Sequence, residues 1–223
     1  MKSLRRQLDH QLWVVDFPDH CSAGLRLGAR TTLIETNQGL WIHSPGPLGD
    51  HHLEGLAAPF ALVAPNSMHY LYLTENSRRF PQALAWAPPE LLSKVPGLSA
   101  RELIGSQAAE IECLPLAGLG PLGEWDFFHR ASGSLIVTDL VFHLLDSPHF
   151  WTRLIMRCNG AYGRLATSRL FRALFVKRAD DLRISLLQVL DWDFDRLVMA
   201  HGEVLERGGK DALRAAFGWL GGL

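Results

Sequence analysis

The chain has 223 residues, of which 48% are apolar and 20% charged, and its formal net charge is −1. This size and composition are typical of a soluble globular protein with a real core, so we expect one domain over residues 1–223. The 22 Lys and Arg nearly balance the 23 Asp and Glu. A chain without a basic excess is not expected to bind nucleic acid or an anionic membrane.

Cysteine usage and the N-terminus indicate the compartment. Cys21, Cys113 and Cys158 are scattered and form no Cys-x-x-Cys pair, which fits a reducing environment without a disulfide framework. Neither a signal peptide nor a run of 18 apolar residues occurs. We therefore expect a cytoplasmic protein with no membrane span.

The first third of the chain has the pattern of strands. Leu12–Phe17 is a short apolar run, and Thr31–Glu35 and Leu40–His43 flank Thr36-Asn37-Gln38-Gly39. Because Asn and Gly adopt positive φ at low cost, this segment predicts a β-hairpin. Ser44-Pro45-Gly46-Pro47 then ends the pattern.

Helices and strands alternate in the next segment. The predicted helices are Asp50–Ala57 and Met68–Phe80, and the predicted strands are Phe60–Ala64 and Ala83–Trp86. The first helix, which carries His51-His52, is expected to be exposed. Such alternation indicates layered α/β architecture.

The second half repeats the order of strands first and helices after, which indicates a pseudo-duplicated sandwich. Residues 140–190 have a mostly helical pattern, clearest at Arg178–Leu190, and Lys210–Leu220 is an amphipathic last helix. The predicted strands are Glu110–Leu114, Glu124–Phe128, Leu135–Thr138 and Leu197–Ala200. Six tryptophans are interpreted as core residues: Trp41, Trp86, Trp125, Trp151, Trp192 and Trp219.

Three candidate functional residues each follow a predicted strand, where loops face an open crevice in α/β folds. His69 lies in Pro65-Asn66-Ser67-Met68-His69, Asp139 follows LIVT, and His201 follows LVMA and precedes a glycine. Structural alternatives remain open: Asn66 or Ser67 as a helix cap, and Asp139 as the cap of a helix at Leu140–Leu145.

Together these segments resemble the metallo-β-lactamase superfamily, whose members include glyoxalase II. TTLIETNQGLWIHSPGPL is similar to its opening hairpin, LIVTDLVF to the strand that ends in its bridging aspartate, and DWDFDRLVMAHGEV to its closing strand and His-Gly. The resemblance extends from about Leu12 to Glu203, and is strongest to uncharacterised domains of bacteria and plants that carry Pro-Asn-x-x-His. It implies an α/β fold, a four-layer αββα sandwich.

The resemblance also implies a reduced metal site. ALVAPNSMHY, set against the family motif His-x-His-x-Asp-His, places Pro65, Ser67, His69 and Tyr70 at its four ligand positions. Asp139 and His201 match the bridging aspartate and the final histidine. Leu116–Gly123 holds no histidine where the family has one. His129 is no replacement, because it would lie about 16 Å along the hairpin from Asp139, whereas Glu124 would lie nearer.

Two hypotheses follow. In the first, His69, Asp139 and His201 hold one divalent ion (zinc, iron or manganese), with Tyr70 or Glu124 nearby, and Asp139 and His69 are the catalytic residues of a hydrolase. In the second, no metal is bound, and the same residues form a hydrogen-bonded cluster in a crevice that binds a small molecule or a partner.

One basic, amphipathic run is a further partner candidate. Phe171–Arg178 (FRALFVKR) would lie over the crevice or form a homodimer face, although a solvated helix edge is the simpler interpretation. The substrate itself is not readable from the sequence.

Overall fold

The computed structural model describes residues 3–22 and 24–223. Its strands are β1 (Arg5–Asp9), β2 (Leu12–Phe17), β3 (Cys21–Ser22), β4 (Leu25–Arg26), β5 (Ala29–Thr36), β6 (Gly39–His43), β7 (Pro59–Val63), β8 (Leu84–Ala87), β9 (Arg101–Glu102), β10 (Ile111–Pro115), β11 (Trp125–His129), β12 (Ser134–Ile136) and β13 (Arg196–Val198). Its α-helices are α1 (Asp50–Leu53), α2 (Leu73–Arg79), α3 (Pro89–Lys94), α4 (Phe150–Cys158), α5 (Arg169–Phe175), α6 (Ala179–Asp191) and α7 (Gly209–Ala216). No helix in these described ranges is long and apolar enough to cross a bilayer.

The first sheet has seven strands in the order β1-β2-β5-β6-β7-β8-β9. The pairs from β1 to β6 are antiparallel, and those from β6 to β9 are parallel. The predicted hairpin is confirmed: Thr36 pairs with Gly39, whose φ of 125° suits glycine.

The second sheet has four strands in the order β10-β11-β12-β13. Its first three strands form an antiparallel meander, and β12 and β13 run parallel with Ile136 opposite Val198. The two sheets therefore each combine antiparallel and parallel pairs.

Three apolar layers hold the sheets and helices together. Between the sheets, residues of the first (Trp41, Val63) pack with residues of the second (Phe127, Val198). The outer face of the first sheet packs on α2 and α3, through contacts that include Leu73 and Leu91. The outer face of the second packs on α5, α6 and α7, through Phe171, Leu182 and Leu213. The fold is thus an αββα sandwich, as expected.

Several local predictions were wrong. Helix α2 begins at Leu73 rather than Met68, because the Asn66 side-chain Oδ1 accepts the backbone N–H groups of Met68 and His69 and holds a turn there. No helix occupies residues 140–149, which are extended and form bridges from Phe142 to Ala166 and from His143 to Gly202. Asp139 therefore caps no helix.

Burial also differs from expectation at three aromatic positions. His52 is buried rather than exposed, and its Nδ1 accepts the backbone N–H of Gly49. Trp151 on α4 is 67% exposed and Trp219 near the C-terminus is 38% exposed, so neither is a core residue. The predicted last helix ends at Ala216 and is followed by a separate 3-10 turn.

Candidate metal site

Strand pairing brings two of the three candidate residues together. Asp139 lies three residues beyond Ile136, and His201 lies three residues beyond Val198, the partner of Ile136 in the parallel ladder. Equal offsets from paired residues of parallel strands end at the same sheet edge. His69 reaches the same place from the other sheet, in the loop after β7.

Gly202 makes the turn after His201 possible. Its φ is 92°, and a Cβ at this position would lie 2.2 Å from the carbonyl oxygen of His143. Only glycine fits there, because any side chain would collide with backbone. The tight contact between Gly202 and His143 fixes the direction in which His201 leaves its strand.

The side chains of His69, Asp139 and His201 converge. His69 Nε2 lies 3.4 Å from Asp139 Oδ2, and His201 Nε2 lies 3.3 Å from Asp139 Oδ1. One ligand atom from each of the three residues falls within a group no wider than 4.8 Å. The two imidazole rings meet edge to face with their centroids 5.2 Å apart, and Phe142 stacks on His201.

The far nitrogen of each histidine is held by a neighbour. His201 Nδ1 lies 2.7 Å from the carbonyl oxygen of Gly28, and His69 Nδ1 lies 2.8 Å from Ser44 Oγ. A carbonyl only accepts, so His201 Nδ1 carries a hydrogen and its Nε2 is the atom that faces Asp139. Such outer contacts orient metal-binding histidines in proteins.

Asn66 and Glu124 form a buried scaffold under Asp139. Asn66 Nδ2 donates to Asp139 Oδ2 at 2.8 Å and to Glu124 Oε2 at 3.3 Å. Glu124 Oε1 accepts the backbone N–H groups of Thr138 and Leu140, and its Oε2 accepts that of Asp139. The Glu124 carboxylate, directly before β11, therefore holds the loop that carries Asp139 through three backbone hydrogen bonds.

Electrostatics favour a charged pair in this cluster. Burial would raise the pKa of Asp139, but His69 and His201 outweigh it and hold the pKa well below its usual range. Burial would lower the pKa of His69, but the charge and contact of Asp139 reverse this and raise it. Burial, followed by repulsion from Asp139, raises the pKa of Glu124 to about 7.

The donor set is compatible with one metal ion. Two imidazole nitrogens and a carboxylate are common ligands of zinc and of iron or manganese. The two nitrogens approach different oxygens of Asp139, at 3.4 Å for Oδ2 and 3.3 Å for Oδ1, and one ligand atom from each residue lies within 4.8 Å of the other two. The three residues could therefore hold a divalent metal.

The other candidates divide into two groups. Glu124 lies next to Asp139, as the sequence indicated, and Tyr70 lines the cavity beside His69. His129 is outside the three-residue group, and its Nδ1 contacts Ser132 Oγ.

Three contacts of the site were not predicted from the sequence. Asn66 was considered only as a helix cap, and its contact with Asp139 was missed, as were the contacts of Ser44 and of the Gly28 carbonyl with the histidines. A signal existed only for Asn66, which is a polar residue directly after a buried strand.

A cavity of about 420 Å³ opens onto the three residues. It lies between the turn after β6, the β3–β4 hairpin, and helices α4 and α5, and Phe171, Leu174 and Phe175 of α5 lie in its wall. The helix predicted from FRALFVKR thus lies against the crevice. A site at the carboxyl ends of strands with an adjoining cavity is the usual arrangement of an active site in α/β folds.

The fold and this site define a protein with the metallo-β-lactamase fold. The solved structures similar to it include the metallo-β-lactamase FIM-1 from Pseudomonas aeruginosa in its mono-zinc form (TM-score 0.67, 8% identity, covering 100% of this chain and 98% of that one). A metallo-β-lactamase from Pontibacter korlensis matches with a TM-score of 0.64 and 9% identity over 100% of both chains. A metal-soaked flavodiiron core from Synechocystis sp. matches with a TM-score of 0.66 and 13% identity, covering 98% of this chain.

The chain spans 60% of that flavodiiron chain. No protein-family model and no curated protein matches the sequence. The TM-scores establish a shared fold, but at identities this low they leave the reaction open.

Proposed function

We propose that this protein is a mononuclear metal-dependent hydrolase, folded as one domain over residues 1–223. The observation that carries the proposal is the convergence of His69 Nε2 and His201 Nε2 on the two oxygens of one buried carboxylate, Asp139, at the wall of a cavity. The apolar layer shared by both sheets supports the single domain.

His69, Asp139 and His201 would hold the ion, which we take to be zinc, iron or manganese. When bound, such an ion would supply Lewis acidity that activates water near neutral pH. The chain's own residues would orient this chemistry: Ser44 and the Gly28 carbonyl aim the imidazoles, and Asn66 holds Asp139. Phe142 stacks on the His201 ring and covers one of its faces.

Elemental analysis after incubation with zinc, iron(II) and manganese tests the proposal. We expect about one ion per chain, as three ligands and an open position imply, and loss of that ion in His201→Ala. His143→Ala is the matched control, because His143 is also buried and bonded at Nδ1, to the Glu203 carbonyl, but lies outside the three-residue group. A wild-type protein that binds none of these metals would overturn the proposal.

Asp139's own contacts favour a second candidate, a metal-free binding module. Both oxygens of Asp139 already have imidazole partners, and Asn66 adds a hydrogen bond, so the cluster satisfies itself when His201 and His69 are protonated. In that case the crevice binds a small molecule or a partner, and a His69–Asp139 pair could transfer protons. This candidate predicts that His201→Ala leaves metal content at zero and cavity binding largely intact.

A further inference from the structure

The cavity beside the candidate metal site has an apolar wall. One end reaches His69, Asp139 and His201. The remaining wall is built by side chains from four parts of the chain, mostly aliphatic or aromatic, and these include Leu27, Met68, Ile155, Leu170, Leu174 and Phe175. Such a wall gains free energy when it covers an apolar group and little when it covers a charged one.

No Lys or Arg side chain among the described residues offers a free donor to this cavity. Arg30 is the one Lys or Arg among the described residues of the lining, and it is 5% exposed. Its Nε donates to Asp16 Oδ1, and its two terminal nitrogens donate to the carbonyls of Met199 and Gly202. A carboxylate or phosphate on a ligand would therefore lose its water without finding a partner in the wall.

We propose that the cavity binds a neutral molecule with an apolar body, of the ester or amide class, whose carbonyl end lies toward His69, Asp139 and His201. The carbonyl placement rests on the proposed hydrolase function. The preference for a neutral apolar body does not, because it follows from the wall and from Arg30 alone.

Displacement of the neutral dye Nile red from the full-length protein, kept metal-free so that no ion can bind a carboxylate at the site, tests this inference. Methyl decanoate and sodium decanoate have the same chain and differ in charge. We expect the dye to bind, and the ester to displace it at a concentration at least about tenfold lower than the acid, a modest difference for an unpaired charge. Equal displacement, stronger displacement by decanoate, or no dye binding would overturn it.

Paired variants locate the dye. Leu174→Glu places a carboxylate in the wall from a side chain that is 50% exposed, and we expect it to weaken dye binding at least about tenfold. Ile184→Glu is the matched control, because Ile184 is 52% exposed on α6 and is not in the lining. Equal losses of dye binding in both variants would contradict the location of the dye in the cavity.

The two proposals fail separately. Dye binding in a protein that neither binds metal nor hydrolyses the ester would refute the hydrolase alone, whereas metal binding in a protein that does not bind the dye would refute the cavity inference alone.

Charge is distributed unevenly around the same cavity. Residues 147–179 contain seven cations and no Asp or Glu: Arg153, Arg157, Arg164, Arg169, Arg172, Lys177 and Arg178. Among the described residues only Arg178 of these has a carboxylate within 4.0 Å, that of Asp181. The near-zero net charge of the whole chain conceals this local excess.

The same segment exposes an apolar helix face. On α4, Phe150 and Trp151 are 58% and 67% exposed, and Leu154 and Ile155 follow on the same side of the helix at i+4 spacing. On α5, Leu170 and Leu174 repeat this spacing, and both are exposed. Exposed aromatic and aliphatic side chains, flanked by cations that have no carboxylate partner, are the pattern of a helix that lies on an anionic bilayer surface.

We infer that α4 and α5 form a peripheral contact face for an anionic lipid surface, with the mouth of the apolar cavity beside it. A symmetric contact between two copies of this chain is disfavoured, because it would place the cations of both copies against each other. A bilayer satisfies both parts of the face at once: its headgroups neutralise the cations and its acyl boundary covers Trp151 and Leu154.

Sedimentation with phosphatidylcholine vesicles, with and without phosphatidylglycerol, tests the face. We expect binding that requires phosphatidylglycerol and weakens with salt, and that falls about tenfold in Arg157→Glu and in Trp151→Ser. Arg78→Glu, an equal charge reversal on the exposed side of α2, should bind as wild type. No binding to the anionic vesicles, equal loss in Arg78→Glu, or stronger retention on polyglutamate than on vesicles would overturn the lipid assignment.

Discussion

His201 donates its Nδ1 hydrogen to the carbonyl oxygen of Gly28 at 2.7 Å. Because this hydrogen is committed, Nε2 is the ring nitrogen left to bind a cation, and it lies 3.3 Å from Asp139 Oδ1. One main-chain carbonyl thus selects which nitrogen of His201 faces the candidate site.

Metal binding should release protons. The charge and contact of Asp139 raise the pKa of His69, so this ring holds a proton in part of the molecules near neutral pH, and a metal ion bound by the ring would displace it. We expect zinc affinity to fall as pH decreases below neutral, since protons compete for the same nitrogen atoms. Titration calorimetry in two buffers of different ionisation enthalpy measures the release. A heat that is independent of buffer would contradict this protonation state.

Asn66 should determine how well Asp139 is positioned. Asn66→Ala removes the donor to Asp139 and Glu124 and the acceptor for the backbone of Met68 and His69. Leaving such buried groups unpaired costs about 1–3 kcal/mol of unfolding free energy. Loss of an outer contact of this kind lowers metal affinity about 10–100-fold.

Urea denaturation and metal titration of Asn66→Ala measure the two effects. Asn159→Ala is the control, because the Asn159 side chain donates to the Ile155 carbonyl and accepts the backbone N–H of Leu170, away from Asp139, and should affect stability without affecting metal affinity. Wild-type metal affinity in Asn66→Ala would show that Asp139 is positioned without it.

Ser44 combines a functional contact with a strained backbone. Its φ is 51°, in the left-handed region, while its Oγ contacts His69 Nδ1 at 2.8 Å. Ser44→Gly and Ser44→Ala both remove the hydroxyl, but only glycine tolerates this φ freely. We expect equal losses of metal affinity in the two variants, with Ser44→Gly more stable than Ser44→Ala by about 1 kcal/mol. Unequal metal affinities would mean that backbone strain, rather than the hydroxyl, orients His69.

The sequence predicts part of this site and not the rest, for physical reasons. Asp139 and His201 each follow an apolar strand, and parallel pairing of those strands is enough to bring them together. The partners of the histidines are different, because the Gly28 carbonyl has no side-chain signal and the contact of Ser44 with His69 depends on the path of the loop after β7, beside the end of its neighbour β6. The helix expected at Leu140–Leu145 fails for a related reason: Phe142 and Leu144 are held in bridges to Ala166 and Tyr162, and tertiary pairing outweighs helix propensity.

Asp126 should make the protein less stable as pH rises. Its carboxylate is fully buried on β11, and neither oxygen has a hydrogen-bond partner among the described residues. Burial, with repulsion from Glu124, raises the pKa of Asp126 well above its usual range. The unfolded chain releases this proton from about pH 4, whereas the folded chain retains it to higher pH. Stability contributed by protonated Asp126 is therefore present at low pH and is lost as pH rises toward the folded-state pKa.

Asp126→Asn removes this linkage while keeping the shape of the side chain. We expect the variant to be more stable than wild type at pH 8 by about 1–3 kcal/mol, with a smaller difference at pH 5. Urea denaturation at both pH values measures it, and Asp193→Asn, which changes an exposed aspartate, is the control. Because Glu124 has a raised pKa of the same sign, some slope should remain in Asp126→Asn. An Asp126→Asn protein that loses stability equally at both pH values would show that the carboxylate is ionised and has a partner in the fold.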